Sequence, residues 1–432
     1  MLGVKKLGLC AAVGIGLASL MTVSAASAKE LPAGTVIKAS NLDQLKSDTF
    51  EHKTIQSMLT QRLEWLIRKH GLEITLAHSK PIPISETWKE RTQENAGKAS
   101  INPKTHELEN WTGSGSPFPY SDISTKDPQA AWKLMWDYYV GHAPAEGDYT
   151  HFPKFAYLLI SGNNGLQRTQ VWSWYRVYMA GLISKGHKPV QGDGKILTKT
   201  MIRAVYPRDI SGLGTLTIRY TGNKPDNTWA YLPAVRRVRR VSGAAWMDPI
   251  GGTDQLQEDI NIWNIRPNSY PTIRILKKRW LLVTAHETYA WNSKGGNNAQ
   301  KYPLVDLQHK PYWNPKAPNV KWEPRQVYVV EGISPKIDPY SKKIMYVDTK
   351  LPWIWQGETF DKSGRFWKYM YWLEMDHTCM DGTKVMWPTV GMVLDYKRMH
   401  GTIFLSNHTW RCNPPGLTPD KVSLGKLMSS SP

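Results

Sequence analysis

The sequence predicts an α+β fold in which a long antiparallel β-sheet follows a few helices. Three observations carry that prediction. From about Phe155 onward, segments rich in Val, Ile, Thr, Tyr and Trp recur at strand length. Two segments with apolar residues at helical spacing precede them. Turn chemistry, rather than helical sequence, separates several of the strands.

The elements follow in chain order. Residues 1–28 read as a secretory leader. Lys5 and Lys6 precede an apolar run from Leu7 to Met21, and Ala26-Ser27-Ala28 offers the small residues a signal peptidase cleaves after. That run falls short of the roughly 20 residues a helix needs to cross a bilayer. The mature chain, beginning near Lys29, is therefore expected in the periplasm, either free or resting on the outer membrane. Cys10 follows Leu9 and stands far from the cleavage site, which argues against a lipid anchor. Residues 29–432 read as one domain with loop insertions, since neither a Gly/Ser or Pro tract nor an internal repeat divides them.

From Thr54 to His70, Ile55, Met58, Leu59, Leu63, Leu66 and Ile67 predict a helix with Asp48 and Glu51 as a capping box and Gly71 as its end. Residues 101–122 read as an extended loop. A second helix is predicted to start at Asp127-Pro128, carrying Trp132, Met135, Trp136, Tyr139 and Val140 on one face and closing at Gly141. Strands are predicted over 169–180, 198–206, 214–220, 228–232, 279–289, 325–331, 343–348, 353–360 and 366–374. Asp361-Lys362-Ser363-Gly364 reads as a hairpin turn, and Asp338–Ser341 as the turn before it. A sheet of this kind needs cover on one face, which the Trp-bearing helix supplies.

Composition bounds the partners. The formal net charge is +19, two units of which, Lys5 and Lys6, leave with the leader. Export excludes nucleic acid as a partner, and leaves an anionic envelope partner or a solvated basic surface. Twenty Trp and twenty Tyr against seven Phe favour an aromatic cavity or platform in addition to ordinary core packing. Cys379 and Cys412 remain after cleavage. In an oxidising compartment they predict a disulfide; a site built with His377 and His408 has spacings unlike the usual zinc patterns, so no metal is expected.

Residues 228–254 are the most distinctive. Val235, Val238 and Val241 alternate with Arg236, Arg237, Arg239 and Arg240, a spacing that suits neither a strand nor a helix and predicts irregular backbone. Together with the Asp127-Pro128 helix, Arg325–Glu331, Tyr346-Val347-Asp348 and the Asp361–Gly364 turn, this segment resembles an exported family. That family is domain of unknown function 1329, of outer membrane lipoprotein-sorting-like proteins. The resemblance covers most of the mature chain. It implies the fold of the lipoprotein carriers: a large curved antiparallel sheet, a half-barrel, wrapping a few helices around an apolar cavity. It supplies no catalytic or ligand residues.

The candidate ligand residues therefore rest on chemistry alone. They are Trp229 and Tyr231 from the distinctive segment, Trp132 and Trp136 from the helix, and the arginines 236, 237, 239 and 240. The guanidiniums suit a phosphate or carboxylate at a cavity mouth. They equally suit a structural network with Asp248, Asp254, Glu258 and Asp259 just downstream. No catalytic motif stands out. His286-Glu287 lacks the second histidine of a zinc protease helix, Gly113–Ser116 lacks the nucleophile elbow, and Gly186-His187 is not a phosphate loop. No cofactor is expected. The leading reading is a non-catalytic carrier for a lipid or other hydrophobic ligand, with an envelope transporter as partner and peripheral membrane contact. An accessory docking subunit of an export complex, and a sugar-binding protein or glycosidase with aromatic platforms, are the alternatives.

Overall fold

The computed structural model describes residues 3, 28–141, 146–241, 245–292 and 301–429. Apart from Gly3 and Ala28, the expected leader lies outside the described residues.

The chain opens with β1 (Val36–Ile37), α1 (Leu42–Leu45) and a hairpin of β2 (Thr49–Phe50) and β3 (Lys53–Thr54). The helix expected over 54–70 is two helices, α2 (Ile55–Met58) and α3 (Gln61–His70), because Leu59 and Thr60 are extended. Threonine hydroxyls, not a capping box at Asp48 and Glu51, start both: Thr54 accepts from the Ser57 N–H at 3.3 Å and Thr60 from the Leu63 N–H at 2.9 Å. Gly71, at φ 66°, ends α3 in the left-handed conformation.

After β4 (Ile74–Leu76) and α4 (Glu86–Glu94), a short ladder of β5 (Ser100–Ile101) and β6 (Leu108–Glu109) interrupts the expected loop. The second helix, α5, spans Ala130–Val140, with Gly141 as its C-cap. Asp127 precedes it, accepting the Gln129 N–H at 2.8 Å and pairing with Lys133 at 2.7 Å. Ten of its eleven residues are buried, so it is a core helix and not a one-sided cover.

Two antiparallel meanders build the main sheet. The first contains β7 (Tyr149–Ser161), β8 (Gly165–Tyr178), β9 (Ile196–Tyr206), β10 (Gly214–Tyr220), β11 (Asn227–Leu232) and β12 (Arg237–Arg240). The second contains β13 (Thr272–Val283), β14 (Lys321–Ile333), β15 (Tyr340–Asp348), β16 (Ile354–Asp361), β17 (Phe366–Thr378), β18 (Lys384–Asp395) and β19 (His400–Leu405). Pairing of β19 with β7 joins them, so the long antiparallel sheet expected from the sequence is two meanders fused through non-consecutive strands. β20 (Arg411–Cys412) adds to β7, and β4 pairs β14 in parallel. The resulting 16-stranded sheet is curved and open, as a half-barrel is.

One edge is β12; the other, beyond β14, is formed by the long β13 and, past β4, the two-residue β1. The two longer edge strands are basic, with Arg237, Arg239 and Arg240 on β12 and Arg274, Lys277, Lys278 and Arg279 on β13. Charged edges of this kind oppose edge-to-edge association.

Turn chemistry acts where it was expected between β16 and β17: Gly364 donates its N–H to the Asp361 carbonyl at 2.8 Å, and the Asp361 carboxylate accepts from Ser363 at 2.9 Å. The turn before β15 sits slightly earlier than Asp338–Ser341, closed by the Asp338 N–H to Pro335 at 3.1 Å. The expected irregularity near Val235 is a short 3₁₀ turn, Pro233–Val235, with Arg236 at φ 49°.

Eight tryptophans are fully buried, among them Trp136, Trp263, Trp387 and Trp410. Packing is tight enough to require glycine at Gly391 in β18: a Cβ there would stand 2.0 Å from the ring of its cross-strand neighbour Trp372. Cys379 and Cys412 form a disulfide across a sequence separation of 33 residues, so their sulfurs are not thiolate ligands. His377 packs edge-on against Trp410 at 4.1 Å.

A cavity under a strap

Because β12 and β13 lie at opposite edges, the chain between them must cross the sheet, and residues 245–271 do so as a strap. Side chains and backbone hold it strand by strand. Gln170 on β8 donates to the Gly251 carbonyl at 3.0 Å, and Tyr157 on β7 to Gln255 at 3.1 Å. His400 and Thr402 on β19 hold the Asp254 carboxylate at 2.6 and 2.8 Å. Lys368 on β17 donates to the Asp254 carbonyl at 2.6 Å. Finally, Lys343 and Tyr340 on β15 hold Asp259 at 2.9 and 2.7 Å.

The centre of this attachment is a fully buried charge cluster. Lys343, Glu258 and Asp259 have no solvent exposure, and Lys368 stands 3.5 Å from Asp259. Burial alone would raise the Asp259 pKa, but Lys343 and Lys368 together bring it below the usual carboxylate range. Glu258, 3.2 Å from Lys343, is pushed up to about 8 by burial that the lysine only partly offsets. Such a cluster fixes the strap in one position, since each charge depends on its partners for solvation.

Between the strap and strands β8–β11 lies a cavity of about 650 Å³. The strand registers lay its floor out in rows, because alternate residues face the same side. One end has Tyr178 beside Thr198, which pairs with Arg219. The next row is Arg176, Thr200, Thr217 and Thr228. Then come Trp174, Ile202, Thr215 and Ala230, and beyond them Trp172 with Leu213. The floor thus changes from hydroxyl and guanidinium groups to indole and aliphatic groups along the strand direction. The strap matches it. Ile250 and Gly251 cover the Trp172 end, where a Cβ on Gly251 would meet that indole at 2.6 Å, while Asn264 and Arg266 cover the Arg219 end.

Three arginines line the polar end and middle. Arg176 binds Glu146 through two contacts of 2.8 and 2.9 Å, donates to Thr200 at 3.0 Å and lies over Trp174 at 4.4 Å. Arg219 pairs with Asp226 at 3.1 Å, donates to the Asn264 carbonyl at 3.0 Å and lies over Tyr139 at 4.6 Å. Arg266 donates to the Lys224 carbonyl at 2.8 Å and has no acid within ion-pair distance among the described residues.

The residues expected to hold a ligand lie elsewhere. The pleat puts Trp229 and Tyr231 on the opposite face from Ala230, in a second core with Val177, Met201 and Leu216. Leu417, Val422 and Leu427, the last in α6 (Leu424–Ser429), cover that face. Trp132 stacks on His106 at 4.0 Å and Trp136 donates to the His106 carbonyl at 2.8 Å; the neighbouring Tyr138 and Tyr139 reach the cavity instead.

Arg236, Arg237, Arg239 and Arg240 are exposed at the free edge, and Arg240 bonds Asn227. The expected network with downstream acids is not formed among the described residues: Asp254, Glu258 and Asp259 are held by His400, Lys343 and Lys368, and Asp248 lines the cavity without an ion pair to any of the four arginines. Arg237 and Arg239, opposite Leu232 and Ala230, share the cavity side of the pleat but stand one strand beyond the floor. Nothing in the spacing announced Trp172, Trp174 or Arg176 as a site: they read as one more strand. The visible hint was their alternation, Trp172-x-Trp174-x-Arg176-x-Tyr178, which puts one amphipathic row on one face. Among the described residues no group of three or more His, Cys, Asp or Glu side chains is placed to hold a metal ion.

The sequence profile of the DUF1329 family, proteins of unknown function, matches residues 36–413. The chain belongs to this family. No curated protein shows significant similarity to it.

Among solved structures, a DUF1329 family protein from Desulfovibrio piger is 18% identical, with 69% of this chain and 98% of that chain covered, at a TM-score of 0.44. A domain named as an outer membrane lipoprotein-sorting protein, from Vibrio parahaemolyticus, is 17% identical over 66% of this chain and 94% of its own, at 0.42. A LolA superfamily protein from Nitrosomonas europaea is 12% identical over 68% and 98%, at 0.39. The family assignment rests on the sequence match.

Proposed function

We propose that this DUF1329 protein is a non-catalytic periplasmic carrier that shelters the apolar part of a lipid or other hydrophobic ligand beneath the strap. The observation that carries the reading is the cavity itself. At about 650 Å³ it falls within the roughly 300–1,000 Å³ typical of small-molecule sites, and it combines aromatic walls with a few placed polar groups. The buried cluster holding the strap supports a pre-formed site, which lowers the ordering cost of binding. Delivery to an envelope transporter, with the basic surface in peripheral contact with a membrane, is the role such a carrier serves. The burial of most tryptophans in the core leaves a sugar-stacking platform less to stand on.

Native mass spectrometry of the mature protein, purified from an envelope fraction without detergent, tests the reading. A defined added mass that extracts as lipid is expected. A protein that is empty in repeated preparations and takes up no apolar fluorescent probe contradicts it.

A further inference from the structure

The graded floor says more than that the cavity is apolar. In its polar half Arg176 pairs with Glu146 and Arg219 with Asp226, while Arg266 has no acid within ion-pair distance among the described residues; the remaining carboxylate of the lining, Asp248, belongs to the strap segment that runs on to Ile250 and Gly251 at the Trp172 end. Arg266 is half-buried on the strap and engaged by the Lys224 carbonyl and the Tyr139 hydroxyl, neither of which carries a compensating negative charge. The other half offers Trp174, Ile202, Leu213 and Trp172. The four rows span about 20 Å at the rise of an antiparallel strand.

Resting on the carrier reading, we propose that the cavity takes a single-headed anionic amphiphile end-on. Its carboxylate or phosphate lies at Arg266 beside Arg219, and its chain runs along Trp174 to Trp172. An anion at Arg266 completes the charge balance of the polar end and receives charge-assisted hydrogen bonds, the strong kind, in a partly desolvated site. A chain placed the other way round would strand the anion among indole and aliphatic groups, where nothing replaces its hydration. The exposed Arg237 and Arg239 lie to the side of the apolar rows and have no part in this orientation.

The test uses the full mature protein and three probes of equal chain length: hexadecanoic acid, hexadecyl phosphate and hexadecanol. The proposal expects at least one anionic probe to bind about tenfold more tightly than the alcohol, a difference of about 1.4 kcal/mol. Which anion gains more identifies the head group. Arg266→Gln should abolish that preference, the anionic probes falling to the affinity of hexadecanol, whose continued binding reports that the variant is folded. Arg237→Gln with Arg239→Gln should leave the preference intact.

Equal binding of acid, phosphate and alcohol, or a preference that survives Arg266→Gln, overturns the orientation but not the carrier. Loss of the preference in the edge variant instead places the head at the sheet edge and overturns it too. If none of the three probes binds, the carrier reading fails first.

Discussion

Single residues here are governed by what burial does to ionisable groups. His151 lies against Tyr175 at 4.1 Å and His377 against Trp410 at the same distance. Burial, reinforced by the charge of Arg411, lowers both from the ordinary 6.5 to about 4. A histidine held neutral in the folded state while the unfolded chain takes up its proton contributes stability above about 6.5, and that contribution is lost as pH falls toward 4. NMR titration should therefore show both rings neutral at pH 5.5, and replacing both by Gln should flatten the fall of Tm between pH 6.5 and 4. A ring that titrates near 6.5 contradicts the assignment. The same reasoning separates residues legible in the sequence from those that were not. The disulfide partners needed only compartment and count, whereas the cavity arginines needed the register of four strands. Trp229 and Arg236–Arg240 drew attention by being unusual in sequence, but a residue's face is set by the pleat, which puts Trp229 against the C-terminal segment and the arginines at a free edge.

At the scale of elements, the strap is the part whose role depends most on a few contacts. Lys343→Met removes the main cation facing the ionised Asp259 and leaves that buried carboxylate without its principal partner, a change that typically costs about 3–5 kcal/mol. Denaturant unfolding should show a loss of that order, and amide exchange should quicken from Asp254 to Trp263 before the sheet is affected. A loss below about 1 kcal/mol, the range of ordinary surface changes, would mean that the cluster does not fasten the strap. Most of the long strands and α5 were legible because their apolar pattern and turns are local. The long 54–70 helix was not, since a threonine cap at Thr60 outweighs continuous helical spacing. β7, β18 and β19 escaped because both faces are buried over much of their length, which erases the alternation that marks a half-exposed strand. The strap could not be read at all: a 27-residue connection without long elements takes its course from lysines that lie about 80 to 115 positions away in the chain.

For the molecule as a whole, topology explains why a cavity exists. Two meanders joined through β19 and β7 leave free edges far apart, the connection between those edges must span the curved face, and buried charges hold that span above β8–β11. The basic edges keep the open sheet from pairing with copies of itself, which accounts for part of the net charge without invoking a ligand. The central claim is that the space so enclosed, and not the outer face, receives the apolar ligand. A diazirine-bearing hexadecanoic acid, photolysed on the mature protein and mapped by peptide mass spectrometry, tests it directly. Adducts on Trp172, Trp174, Ile202 or Leu213 are expected if the ligand lies beneath the strap; adducts confined to the outer core around Trp229, Tyr231 and Leu417 would place it on the other face.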